Sequence, residues 1–152
     1  MIMRTAIVGV GNLLMRDDGV GIHVARRLMS LDLPPNVEVS DAGTAAEAAF
    51  SLASFDRLIV VDAAQLGGAP GTVYRLTADD AAGPRNRSSH DARLIETLRL
   101  ASDSDASPKI IIFGIEPGEV AWGLELTADV EAAVPRLIAI VQEELKGPER
   151  CS

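Results

Sequence analysis

The sequence is poor in cysteine and in basic charge, and each shortage excludes a class of function. The single cysteine, Cys151, stands next to the C-terminal residue, which excludes an intrachain disulfide and a zinc site built from cysteine pairs. Lys and Arg number 14 against 22 Asp and Glu, for a formal net charge of −8. Such a surface repels phosphate backbones and anionic lipid heads, so we expect neither a nucleic acid nor a membrane as partner.

Long hydrophobic runs are also missing. The longest, such as residues 58–61 and 110–113, are the size of a strand, and no charged N-terminal region precedes an apolar segment of signal-peptide length. We therefore expect a cytoplasmic protein. The chain has 152 residues, 47% of them hydrophobic, which suits one domain. We assign that domain to residues 1–147 and a short tail to residues 148–152.

Strand-like and helix-like segments alternate along the chain, which predicts a three-layer α/β domain with a mostly parallel sheet. The polar residues 77–89 and the segment 102–108 are expected to be loops, and Pro135 is expected to kink the last helix or mark its start. Residues 65–71 are too few for the crossover that a parallel strand requires, so the strand after them should run antiparallel. Strands are predicted at residues 6–8, 37–41, 57–62, 72–76 and 109–115, and helices after Asp18, at residues 45–53, after His90 and after Thr127.

The most informative stretch is residues 6–21, in which an apolar strand is followed by Gly9 and Gly11, which let the backbone turn sharply, and then by Asp17 and Asp18. A dinucleotide-binding fingerprint would need glycine at Leu14, and two carboxylates at a helix start oppose a phosphate. Aspartate also caps helix N-termini. We therefore expect Asp17 to cap the helix and Asp18 to be available as a ligand of a hard metal ion.

Asp62 ends the most hydrophobic strand, and His90 follows the polar loop. If the first strand lies between the second and the third, Asp18 and Asp62 face one crevice at the switch point of the sheet. H-E-x-x-H, G-x-S-x-G and P-loop motifs are absent, so hydrolysis would need a metal. Two carboxylates and one imidazole can hold nickel, zinc, cobalt or manganese. His23, Tyr74 and Trp122 are expected to be ordinary packing residues.

The sequence also resembles a known family, the hydrogenase maturation endopeptidases, which process the large subunit of nickel–iron hydrogenases. The matching motifs occur in the family's order and with family-like spacing over most of the chain. They are Gly9-Val10-Gly11-Asn12-Leu13-Leu14, Asp17-Asp18-Gly19-Val20-Gly21, Asp41-Ala42-Gly43-Thr44, Val60-Val61-Asp62-Ala63, Ser89-His90 and Gly114-Ile115-Glu116-Pro117.

The resemblance implies a five-stranded mixed sheet in an α/β/α fold, with the fourth strand antiparallel. It also implies three metal-contacting residues, which fall on Asp18, Asp62 and His90. The acidic turn after the second strand departs modestly from the family motif, because Ala42 stands where the family commonly has glycine. In the family, the nickel is understood to arrive in the hydrogenase precursor, and the enzyme then removes a C-terminal extension.

The leading hypothesis is thus a nickel-dependent endopeptidase in which Asp18, Asp62 and His90 hold the nickel of a hydrogenase large-subunit precursor. Other divalent ions can occupy such a site. Gly43 and Thr44, together with the loop 77–89, are expected to help seat the peptide. One alternative is a nonenzymatic nickel-binding maturation factor on the same scaffold, and another is a nucleotide-binding module.

Overall fold

The computed structural model describes residues 3–43, 54–77 and 108–146. This part of the chain contains five strands, two α-helices and one 3₁₀ turn, Arg16–Gly19. The α-helices are α1 (Val20–Met29) and α2 (Ala128–Lys146). The strands are β1 (Thr5–Val10), β2 (Val37–Gly43), β3 (Arg57–Ala63), β4 (Val73–Thr77) and β5 (Lys109–Ile115).

The five strands form one mixed sheet in the order β2-β1-β3-β5-β4. Strand β1 pairs in parallel with both β2 and β3, and β3 pairs in parallel with β5. Strand β4 is antiparallel to β5, as the short connection before it predicts. Because β1 lies between β2 and β3, the winding direction of the chain reverses where β1 ends. Ligands of open α/β sheets bind at such a switch point, beyond the carboxyl ends of the strands.

Apolar side chains bury both faces of the sheet, as strands with near-continuous hydrophobic runs require. On one face, Ile7 and Ile59 pack with residues of α1 and α2 in the larger core cluster. On the other face, Val8 and Val60 belong to a second buried cluster. Strand β3 is buried along its whole length. Burial on both faces agrees with the predicted three-layer α/β class.

Two elements differ in detail from the prediction. Strand β2 continues to Gly43, so residues 42 and 43 lie in the strand and not in the turn expected after Asp41. The pairing extends because Asp41 is opposite Gly9 and Gly43 is opposite Val10, with a bulge between them. Helix α2 begins directly after Thr127, as predicted, and continues through Pro135, so the proline does not mark the start of the helix. Its buried apolar stripe runs on both sides of the proline, and this packing outweighs one missing backbone hydrogen bond.

Several predictions fall outside the described residues and stay predictions. They concern the helix at residues 45–53, the loop at 78–89, His90 with the helix after it, the loop at 102–107, and the tail with Cys151. Thr77, which we expected to open a loop, is instead the last residue of β4. Within the described ranges, no helix combines the length and the apolarity needed to cross a bilayer.

Candidate functional site

Gly11 forms the turn at the switch point, directly after β1. Its φ is +130°, a backbone conformation that favours glycine. A Cβ at this position would lie 2.1 Å from the carbonyl oxygen of Asp18 and 3.4 Å from Oδ1 of Asp62. The backbone of Asp18 and the carboxylate of Asp62 therefore both lie next to Gly11.

Gly9 has a different role from the one that the sequence predicts, because it lies inside β1 and does not form the turn. A Cβ on Gly9 would lie 2.1 Å from the carbonyl oxygen of Gly21 and 2.7 Å from Cβ of Ala25. The absence of a side chain thus lets α1 approach β1 closely. This contact places the start of the helix against the carboxyl end of the strand.

The carboxylates of Asp18 and Asp62 are both held by backbone amides at this edge of the sheet. Asp62 is fully buried, and its Oδ1 accepts a hydrogen bond of 2.8 Å from the Ala63 amide. Asp18 is partly buried, and its Oδ2 accepts a bond of 3.1 Å from the Asn12 amide. Each side chain also has further interactions. Both aspartates therefore lie at the Gly11 turn, and their role as metal ligands stays a prediction.

His90, the third predicted ligand, lies outside the described residues, as do Thr44 and residues 78–89 of the expected peptide-seating loop. Among the residues that are described, no three metal-ligating side chains form a cluster. The two aspartates present hard oxygen ligands. A divalent ion can bind such ligands together with an imidazole. The arrangement suits a metal and disfavours a phosphate, because the Asn12 amide that a phosphate would use already donates to a carboxylate.

Asp17 does not cap the helix, and the prediction that it does was wrong. It is fully buried, and the N-cap of α1 has no side-chain hydrogen bond. Oδ2 accepts bonds from the Gly118 amide at 2.8 Å and the Glu119 amide at 2.9 Å. Thr127 donates its amide to Oδ1 at 2.8 Å and its hydroxyl to Oδ2 at 2.6 Å. Asp17 therefore anchors the loop between β5 and α2 beside Asp18.

Two opposing effects act on the pKa of Asp17. Burial raises the pKa, whereas the hydrogen bonds from Thr127, Glu119 and Gly118 lower it. The net result is a pKa below the usual 3.8, because the donors stabilise the ionised form. Asp17 is therefore a carboxylate at neutral pH.

Glu116 is a second structural carboxylate, and its anchoring role was not predicted from the sequence. It is 6% exposed, and Oε1 accepts bonds from the Leu66 amide at 2.9 Å, the Gly68 amide at 3.0 Å and the Tyr74 hydroxyl at 2.7 Å. Glu116 thus holds the loop that follows Asp62. The signal in the sequence was an acidic residue directly after a buried strand.

The prediction that Tyr74 and Trp122 are packing residues was wrong for Trp122, while the half-buried Tyr74 has a hydrogen-bonding role in addition to packing. Tyr74 donates its hydroxyl to Glu116 and accepts a bond of 3.1 Å from the Gly68 amide. The side chain of Trp122 is 80% exposed, so it packs into no core. Its loop faces the Gly11 turn: the Gly123 amide donates to the Leu14 carbonyl at 2.9 Å.

His23 is half-buried in α1, as expected for a packing histidine. Its Nε2 is buried and has no hydrogen-bond partner in the described part of the chain. Burial, followed by the charge of Arg27, lowers the pKa of the imidazole below 6.5. A backbone hydrogen bond with Leu124 opposes this shift. His23 is therefore neutral at pH 7 and lies against the loop that carries Trp122.

Comparison with known proteins shows which family the chain belongs to. A family model described as hydrogenase maturation protease, HycI, matches residues 22–144. The chain belongs to the hydrogenase maturation protease family. The match covers β2 to β5 and most of α2, and it includes Asp62.

Relatives of this maturation protease extend the likeness across nearly the whole chain. The hydrogenase 2 maturation protease of Escherichia coli K12 is 31% identical over 151 residues, which is 93% of this chain and 92% of the relative. The solved structure of the hydrogenase maturating endopeptidase HybD from E. coli superposes with a TM-score of 0.85 at 30% identity, covering 95% of this chain and 93% of the other.

A third likeness comes from another organism. The NiFe hydrogenase maturation protease HybD from Thermococcus kodakarensis superposes with a TM-score of 0.79 at 28% identity, covering 93% of this chain and 98% of that one. These structures confirm the α/β fold with a mixed sheet. They also make this maturation protease a member of a peptidase family, and peptidases are hydrolases.

Proposed function

We propose that this protein is a cytoplasmic endopeptidase that removes the C-terminal extension of a nickel-loaded hydrogenase large-subunit precursor. The observation that carries the proposal is the position of Asp18 and Asp62 beside Gly11, at the switch point of a hydrogenase maturation protease fold. The names of the relatives support hydrogenase maturation as the process. Cleavage of a precursor is the chemistry that a member of this family would perform.

In this proposal, Asp18, Asp62 and His90 hold nickel that belongs to the substrate. A bound divalent ion polarises a carbonyl group and lowers the pKa of a bound water, and both effects assist hydrolysis of a peptide bond. The chain itself supplies orientation. Amides of Asn12 and Ala63 fix the two carboxylates, and the loops anchored by Asp17 and Glu116 surround them.

Proteolysis is tested with purified nickel-loaded precursor and intact-mass spectrometry. We expect a defined C-terminal fragment with the wild-type chain and a loss of cleavage of at least about 100-fold with Asp18→Asn or Asp62→Asn, because each change removes a charged ligand. Asp32→Asn is the matched control, since Asp32 is exposed after α1. Circular dichroism shows whether each variant is folded.

The nonenzymatic alternative makes the opposite prediction in the same experiment. A nickel-binding maturation factor would bind the precursor and leave its mass unchanged. Normal cleavage by folded Asp18→Asn and Asp62→Asn variants would instead leave the protease function standing and refute the assignment of these two residues.

A further inference from the structure

Four exposed apolar side chains lie on two neighbouring loops beside the candidate site. Leu14 is 52% exposed, Val120 42%, Trp122 80% and Leu124 60%. We call these four residues the apolar patch. An exposed apolar cluster of this kind commonly marks a surface that binds another protein. Trp is also among the residue types that contribute most to such interfaces.

Hydrogen bonds hold the two loops of the apolar patch together. Gly123 donates its amide to Leu14 and accepts a bond from the Arg16 amide, both at 2.9 Å. Arg16 also adopts a φ of +50°, a left-handed conformation that the surrounding structure must enforce for a residue other than glycine. The buried Asp17 adds its bonds to Gly118 and Thr127. Trp122 is thus presented by a preorganised loop, which lowers the entropy cost of binding.

The apolar patch is connected to Asp18 by a short chain of hydrogen bonds. The Leu14 amide donates to the side-chain oxygen of Asn12 at 3.0 Å. The Asn12 amide in turn donates to the Asp18 carboxylate at 3.1 Å. A macromolecule seated on the apolar patch would therefore lie next to the residues that we propose hold its nickel.

Charge at the border of the apolar patch indicates the chemistry of the partner. Arg16 is paired with Glu119 at 2.7 Å, so this border pair is neutral. Glu125 is exposed, and no basic side chain of the described ranges forms an ion pair with it. The whole chain carries a formal charge of −8. A complementary surface is therefore apolar at its centre and basic at the side that meets Glu125.

We infer that the apolar patch docks the hydrogenase large-subunit precursor through an apolar surface bordered by basic side chains, and thereby aligns the precursor for cleavage. This inference rests on the proposed function, because it takes its partner from there. A second copy of this chain is a poorer complement at the border, because it would bring a second Glu125 and the same excess of negative charge.

The chain's single tryptophan makes docking directly measurable. Protein labelled with 5-fluorotryptophan gives one ¹⁹F resonance, which reports on Trp122 alone even when the unlabelled precursor contains tryptophan. We expect this resonance to shift when nickel-loaded precursor is added and to stay fixed when the labelled protein is only concentrated. A shift on concentration alone would make the apolar patch a self-association surface and overturn the inference.

Substitutions in and beside the apolar patch distinguish an effect on docking, seen in KM, from an effect on catalysis, seen in kcat. We expect Trp122→Ser to raise the KM for the precursor at least tenfold while kcat changes less than threefold, as expected when an anchor outside the reacting groups is lost. Glu125→Lys should also raise KM and weaken its dependence on salt. The matched control is Met29→Ser, because Met29 is 47% exposed at the other end of α1. It should leave both constants unchanged.

The failures of this inference and of the proposed function can be distinguished. A shifted resonance with no C-terminal fragment would support docking and refute proteolysis. Normal cleavage with an unmoved resonance and an unchanged KM for Trp122→Ser would refute docking and leave proteolysis standing. If neither a shifted resonance nor a C-terminal fragment is observed, both the docking inference and the proposed function are overturned.

Discussion

The hydroxyl of Thr127 donates a hydrogen bond of 2.6 Å to the carboxylate of Asp17, across 110 residues of sequence. This contact ties the segment after β1 to the residue that precedes α2. It lies beside Asp18, so it joins the two loops at the edge of the sheet where the candidate site is located. The stability of that edge should therefore depend on Asp17.

Replacing Asp17 tests the anchoring role. Asp17→Ala leaves the partly buried donors of Gly118, Glu119 and Thr127 without their acceptor, so we expect a loss of about 3 kcal/mol in the free energy of unfolding. Urea denaturation measures this loss. Asp32→Asn, an exposed change, should alter stability by less than about 0.5 kcal/mol. Equal effects of the two substitutions would refute the anchoring role.

The contribution of Asp17 to stability should also depend on pH. Its pKa in the folded protein lies below the usual 3.8, so the contribution is fully present above that value and is lost as pH falls through the folded pKa. The stability difference between wild type and Asp17→Asn should therefore be constant near neutral pH and shrink below pH 3.8. A difference that widens on acidification would contradict the ionised, hydrogen-bonded state of Asp17.

Gly11 and Gly67 form a matched pair for testing the turn at the switch point. Both have positive φ, +130° and +92°, but a Cβ on Gly67 would meet no atom within 4 Å. Gly67→Ala should therefore cost only backbone strain, about 1 kcal/mol. Gly11→Ala must also displace Asp18, so we expect at least about 2 kcal/mol more, with a loss of cleavage. Similar unfolding midpoints for the two variants would argue against the close approach.

The single tyrosine permits a spectroscopic test of the Glu116 anchor. Burial, the hydrogen bond to Glu116 and the negative charge of Glu116 raise the pKa of Tyr74 above 10.0. Glu116→Gln keeps an acceptor and removes the charge, so the phenolate absorbance should titrate at a lower pH than in wild type. Glu144→Gln is the control, since Glu144 pairs with the neighbouring Arg75. An unchanged midpoint in Glu116→Gln would refute the contact.

Elements with strong apolar patterns were predictable from the sequence. Residues 109–115 form β5 as expected, because a continuous apolar run leaves few alternatives to a buried strand. The reversed direction of β4 also followed, from the short connection before it. The place of β1 between β2 and β3 was only a condition of the sequence argument, and the structure meets it. That topology brings Asp18 and Asp62 to the same edge of the sheet.

The roles of individual polar side chains were not predictable. Asp17 and Asp18 are adjacent and chemically identical, and helix-capping preferences wrongly predicted that Asp17 caps the helix. Its actual partners are more than 100 residues away in sequence, and their positions depend on how β5 and α2 pack. Trp122 was assigned to a core by its hydrophobicity alone, whereas its exposure is decided by the pairing of its loop with the Gly11 turn.

The central claim is that Asp18, Asp62 and His90 act on nickel carried by the precursor, and one measurement tests it most directly. Equal amounts of the same precursor, one nickel-loaded and one nickel-free, are incubated with the wild-type chain and analysed by intact-mass spectrometry. We predict a C-terminal fragment from the nickel-loaded precursor alone. Cleavage of both forms at the same rate would contradict the claim.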